Sequence, residues 1–255
     1  MSAPAPEYQL VYWPGLPGRG ELIRLLFEEA CVRYDDTAKR PTEEAVGAVR
    51  AHISPDKAGD DDKNPPVLAP PILKHGRLVL GQTSNILLYL APRLGLGPDA
   101  SDPLATHRLH GIVLSLLDGF VDEVHETHHP VAVAAYYEDQ KPEAARRARA
   151  YRQERLPKFL GYVQRVLEAN AGDAPWLFGG QLTYADLVLF QGIDGVLYAF
   201  PKAMHALRAS AKYDAVFALY DAVKARPNIK AYLASDRRAP YADGIWRHYP
   251  ELDDD

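Results

Sequence analysis

The chain has 255 residues, of which 47% are hydrophobic, a single cysteine, and a formal charge of −5 at neutral pH. That length can bury a substantial core in one large domain or two smaller ones. The mixed, net-negative charge argues against a general nucleic-acid binder, one cysteine excludes an internal disulfide framework, and no apolar run approaches a membrane span. The start, MSAPAPEYQL, has no basic and hydrophobic leader, so the expected location is cytoplasmic.

Tyr8-Gln9-Leu10-Val11-Tyr12 alternates and is rich in aromatic and branched residues, which predicts a strand. Trp13-Pro14-Gly15-Leu16-Pro17-Gly18 is dense in turn formers and predicts a loop. From Glu21 to Ala30 the apolar residues Leu22, Leu25, Leu26 and Ala30 follow helical spacing. Cys31 continues that spacing from Ile23 and Phe27 and is expected to be a buried packing residue. The segment 40–64 has no clear period, and its run Asp60-Asp61-Asp62-Lys63 predicts an exposed loop tip.

The proline pair Pro70-Pro71 predicts a bend, with a cis peptide bond as one form of it. A strand from Ile72 to Lys74, a turn at His75-Gly76 and a strand from Arg77 to Leu80 should follow as a hairpin. Gln82-Thr83 then opens a helix that buries Ile86, Leu87 and Leu90 and is ended or kinked at Pro92. The start of such a helix offers unpaired N–H groups and the positive end of the dipole to an anion.

Leu94 to Pro103 is the best linker candidate, and nearly everything beyond it predicts helix. Leu109, Val113, Leu116, Phe120 and Val124 trace an apolar stripe, and further helices are expected over 144–167 and 187–198. Thr183, followed three residues later by Asp186, signals a capped helix start. The aromatic tail, Gly244 to Pro250, is expected to pack back onto the body.

Three of these segments together resemble the cytosolic glutathione transferases of the tyrosine type (sigma-, pi- and mu-like). Pro71, Ile72, Leu73, Gly76, Gln82 and Thr83 fall on the spacing of that family's glutathione-binding half. Tyr12, Trp13 and Arg19 match its strand-end tyrosine, the adjoining aromatic residue and the arginine opening the first helix. Gly179-Gly180-Gln181-Leu182-Thr183-Tyr184-Ala185-Asp186 matches the start of a buried helix in its second domain. The resemblance implies α/β plus all-α architecture. A thioredoxin-like glutathione-binding domain would span 1–92, a linker 93–103, and an all-helical electrophile-binding domain with a packed tail 104–255.

The implied activity is conjugation of the glutathione thiolate to hydrophobic electrophiles, with glutathione as co-substrate and no metal. A strand-end tyrosine hydroxyl, here Tyr12, would stabilise the thiolate and so lower its pKa. The same resemblance gives Thr83 and Gln82 the γ-glutamyl end, Trp13 a wall of the electrophile pocket, and Arg19 the tuning or positioning of Tyr12. In the family, the residue before the cis-proline pairs with the cysteinyl part of glutathione through its N–H and C=O. Here that residue is Pro70, which has no N–H.

Asp118, Asp122, His125 and His129 recur at steps of four, three and four, which places them on one helix face. Asp122 matches a pi-class carboxylate that lies near the partner subunit's γ-glutamyl amine, implying a homodimer; a solvated polar face is the plainer alternative. His125-Glu126-Thr127-His128-His129 also fits the zinc-protease pattern H-E-x-x-H, but no third ligand is indicated. With Tyr136 and Tyr137 just beyond, His125 is better read as lining the electrophile side. A non-catalytic glutathione or hydrophobic-ligand binder, and a glutathione-dependent peroxidase or isomerase, are the remaining alternatives.

Overall fold

A computed structural model describes residues 6–59, 61, 63–170 and 174–254. In chain order the strands are β1 (Tyr8–Val11), β2 (Tyr34–Asp36), β3 (Ile72–His75) and β4 (Leu78–Leu80). The helices are α1 (Gly20–Glu29), α2 (Thr42–Ile53), α3 (Thr83–Arg93), α4 (Ala105–Leu117), α5 (Glu123–Glu126), α6 (Lys141–Ala150), α7 (Leu156–Ala169), α8 (Tyr184–Ala199), α9 (Pro201–Ala209), α10 (Asp214–Ala225) and α11 (Pro227–Leu233). The chain divides into two compact units: residues 1–96 with 227–240, and residues 97–226 with 241–255. Sequence reading placed all of 104–255 in one helical domain, whereas the structure groups 227–240 with the first unit.

The first unit is a four-stranded sheet in the order β2-β1-β3-β4, with β1 and β2 parallel and the other pairs antiparallel. Alternation along β1 sends successive side chains to opposite faces. Val11, opposite Ile72, joins Val79 and Val49 of α2 in one buried cluster. On the other face Tyr8 lies 5.3 Å from Phe27 of α1, ring to ring, and α1 packs against α3. The hairpin differs from expectation by one position. Pairing of His75 with Leu78 leaves Gly76-Arg77 as the loop, and Gly76 takes its first position at φ 57°.

Cys31 is a correction to the sequence reading: it is exposed. Helix α1 stops at Glu29, and Cys31 takes a left-handed turn (φ 54°) while Val32 N–H closes back on the Phe27 carbonyl at 3.0 Å. That is the usual helix-ending geometry, with cysteine where glycine is common. The apolar period simply ran past the helix end. Asp60 and Asp62 of the acidic run lie outside the described residues; Asp61 accepts N–H bonds from Lys63 and Asn64.

The second unit is all-helical. The stripe Leu109, Val113, Leu116, Phe120 and Val124 is buried, and α4 and α10 both pack on α8, itself almost wholly buried. The expected cap is present. The Asp186 carboxylate, fully buried, accepts from Thr183 N–H (2.7 Å), the Thr183 hydroxyl (2.9 Å) and Leu177 N–H (2.8 Å). Burial pushes its pKa up to about 6 against the pull of those donors. The tail folds onto this unit: Trp246 is buried, its indole N–H donates to the Phe120 carbonyl at 3.1 Å, and Tyr249 stacks on Tyr137 at 3.8 Å. Among the described residues no helix is long and apolar enough to cross a membrane.

Replacing Asp186 by Ala strands three buried donors, so the Asp186→Ala variant should lose roughly 2–4 kcal/mol of stability. A urea transition should show this as a lower midpoint with an unchanged slope.

Candidate active site

Tyr12 follows the last residue of β1 and is buried. Its backbone N–H donates to the Thr37 hydroxyl at 3.3 Å, and its ring is only 5% exposed. The turn after it folds back so that the Arg19 N–H donates to the phenol oxygen at 2.8 Å. Glycines on both sides of Arg19 permit this approach. A Cβ at Gly18 would sit 2.2 Å from the Tyr12 hydroxyl oxygen, and one at Gly20 would sit 2.7 Å from the ring. Gly18 also needs φ +47°. With its oxygen already accepting a bond, the hydroxyl keeps its own proton for donation.

Burial pushes the Tyr12 pKa up; the Arg19 N–H bond and the charges of Arg24 and Arg19 pull against it. The phenol is therefore protonated at neutral pH, the form that donates to an anion. Beside it Arg24 is 1% exposed, with its guanidinium carbon 5.6 Å from the Tyr12 ring centroid. Burial opposes that charge, yet Glu21 and Asp36 hold Arg24 firmly protonated. Sequence reading missed Arg24, Glu21 and Thr37, whose only signal was a charged residue on an otherwise apolar helix face and a threonine beyond β2.

Apart from Asp122, the other expected glutathione contacts belong to the same unit. The Pro70–Pro71 bond is cis, Pro71 is buried, and β3 starts at the next residue. Gln82 is exposed and holds φ 67°, a conformation that side-chain-bearing residues seldom take. Thr83 is buried at the first position of α3, and no side chain caps that helix start. The first-turn N–H groups are thus left for an outside acceptor. Trp13 is half-buried and packs on the cluster of Val11, Val49, Ile72 and Val79. Asn64, which sequence reading also missed, ties the preceding loop to the hairpin: it accepts from Val79 N–H at 2.8 Å and donates to the Arg77 carbonyl at 2.9 Å.

In the second unit, Asp118 to Asp122 form one π-helical turn between α4 and α5. Asp118 is exposed while Asp122, His125 and His129 are half-buried, so the predicted polar face is uneven. Burial, then the charges of Asp122 and Glu123, raises the Asp118 pKa. The rings of His125 and His129 are 5.1 Å apart, and His128 between them is buried, its pKa pushed down to about 3 by desolvation. Glu126 of the H-E-x-x-H pattern accepts from Arg147 at 2.5 Å, and no group of three potential ligands is arranged for a metal among the described residues. Tyr136 is 78% exposed, whereas Tyr137 is buried under Tyr249 and donates to Glu251 at 3.0 Å.

A thioredoxin-like sheet with a buried tyrosine, a cis-proline strand and an uncapped helix start, followed in the chain by an all-helical unit, defines the two-domain transferase class of fold. A family model described as glutathione S-transferase, C-terminal domain, matches residues 125–236. A glutathione S-transferase of Plasmodium yoelii yoelii is 23% identical over 88% of this chain and 92% of its own length. S-crystallin 4 of Enteroctopus dofleini is 24% identical over 92% of this chain and 100% of its own. The solved pi-class glutathione S-transferase of Onchocerca volvulus shares the fold with a TM-score of 0.65 at 20% identity, covering 89% of this chain and 92% of that one. Much of the second unit thus matches the glutathione S-transferase C-terminal model, and most of the chain is similar to cytosolic glutathione S-transferases in sequence and in fold.

The close approach at Gly20 gives a paired expectation. Gly20→Ala drives a methyl into the Tyr12 ring and should cost roughly 1–3 kcal/mol. Gly47→Ala, inside α2 with nothing within 4 Å of the added carbon, should instead stabilise by about 0.5–1 kcal/mol. Opposite shifts of the two urea midpoints check both.

Proposed function

We propose that the chain conjugates glutathione to small hydrophobic electrophiles, with Tyr12 as the catalytic residue. The observation that carries this reading is a buried phenol whose oxygen accepts the Arg19 N–H and whose proton remains to be given. A thiolate sulfur beside it accepts that proton in a charge-assisted hydrogen bond, which favours the thiolate over the thiol. The sulfur lone pair then forms the new bond to the electrophilic carbon; in a substitution the leaving group departs with the electrons of its broken bond, and in an addition the π pair moves to the neighbouring atom, which takes a proton from solvent.

The uncapped start of α3 at Thr83 is suited to the γ-glutamyl carboxylate, with Gln82 beside it and the Pro70 carbonyl accepting from the cysteinyl N–H. His125 and the exposed Tyr136 are the proposed electrophile contacts of the second unit, while Tyr137 has its ring and hydroxyl engaged by the tail. Asp122 and a two-fold dimer complete the proposal; cytoplasmic location accords with the one free cysteine. The missing N–H at Pro70 favours a second reading, a glutathione binder without turnover.

Two variants separate these readings. Tyr12→Phe removes one charge-assisted hydrogen bond, so kcat/KM with a chromogenic electrophile should fall roughly 10- to 100-fold. Absence of turnover in the wild type supports the binder, and equal turnover in both removes Tyr12 from the mechanism. Pro70→Leu restores an N–H to the residue before Pro71. By titration calorimetry its Kd for glutathione should be roughly 2- to 12-fold tighter, the worth of one neutral hydrogen bond.

A further inference from the structure

Arg24 is among the most deeply buried charges in the first unit. Its Nε donates to Asp36 at 2.7 Å, and one terminal nitrogen donates to the Pro17 carbonyl at 3.1 Å and to Glu21 at 3.2 Å. Glu21, also fully buried, is held from α11 and beyond: the Tyr232 hydroxyl donates to it at 2.8 Å, and Arg238 pairs with it at 3.1 Å. An ion cluster this well buried is weak evidence for stability, because desolvation offsets much of the attraction. What distinguishes it is its aim. The guanidinium lies over the Tyr12 ring, and it holds the carbonyl of Pro17, in the turn that delivers the Arg19 N–H to the phenol oxygen.

We propose that Arg24 is a positioning residue for Tyr12, fixing the turn at Pro17 and supplying the positive field under the phenol, with Glu21 setting the strength of that field. The proposal rests on the reading of Tyr12 as the thiolate's hydrogen-bond donor. Arg19 and Arg24 are the charges that bear on the phenol; Glu21, Asp36 and Tyr232 bear on Arg24, and Arg238 bears on Glu21. Helix α11 thus enters the site without touching substrate. By fixing the carboxylate it fixes how much of the guanidinium charge is left for the ring.

Neutralising Glu21 leaves the guanidinium less compensated, which favours the phenolate. Replacing Glu21 and Arg24 together removes the cation nearest the ring and disfavours it. A general loosening of the packing would act otherwise: it would admit water and bring the phenol down toward its ordinary pKa in both variants. The sign therefore separates an electrostatic role from a merely structural one. The double variant also avoids leaving Glu21 buried without its arginine, and Asp36 keeps its bond from the Ala38 N–H at 3.1 Å.

The test is an ultraviolet difference titration of the ligand-free protein, with Tyr12→Phe subtracted to isolate one phenol among the 15 tyrosines. Glu21→Gln should move the Tyr12 transition down, and Glu21→Gln/Arg24→Met should move it up, each by roughly one to two pH units. Arg24→Lys, which keeps the charge, should stay nearer the wild type than either. Shifts of the same direction in the first two variants, or no shift, overturn the proposal. Because no glutathione is present, this outcome is independent of whether Tyr12→Phe impairs conjugation, so failure here and failure of the proposed function are told apart.

Discussion

The hydrogen bond from the Arg19 N–H to the Tyr12 oxygen is the constraint around which the first unit is organised. A phenol at a strand end would ordinarily satisfy itself with water. Here its acceptor role is filled by a backbone group from its own turn, so the one group it still has to offer is its proton. Forming that bond requires the chain to pass close over the ring twice, which only Gly18 and Gly20 permit. It also requires the turn to be held from below, and the Arg24 contact to the Pro17 carbonyl does so. One contact therefore accounts for two glycines, a buried arginine and the carboxylates that neutralise it.

Burial raises the Tyr12 pKa and keeps it neutral, while the nearby positive charges make the bound proton easier to share. These effects cooperate in a donor. A phenol of ordinary exposure would lose hydrogen-bond strength to water, and one fully ionised would repel a thiolate. The first unit resolves that conflict with a cation that is itself permanently charged, since Glu21 and Asp36 overcome the burial of Arg24.

Much of this was legible from residue patterns. The strand at Tyr8, the helices from Glu21 and Thr83, the proline pair and the Thr183–Asp186 cap each announce themselves through local chemistry that tertiary contacts reinforce. Helix α2 did not: only Ala45 and Val49 are buried, and Gly47 interrupts its interior, so no apolar period emerges. Cys31 was misjudged because spacing says nothing about where a helix stops. Glu21 and Arg24 carry no local signal, since the partners that hold Glu21 lie some two hundred residues further along the chain, at Tyr232 of α11 and at Arg238 beyond it. Likewise Tyr137 adjoins the exposed Tyr136 in sequence yet is claimed by the tail through Tyr249 and Glu251.

The central claim is that the Tyr12 proton is spent on sulfur. It is tested most directly by titrating the thiol of bound glutathione through the ultraviolet absorbance of its thiolate. An apparent pKa at least one unit below the value of about 8.5 for a free thiol is expected. A bound thiol that titrates as it does in free solution would contradict it.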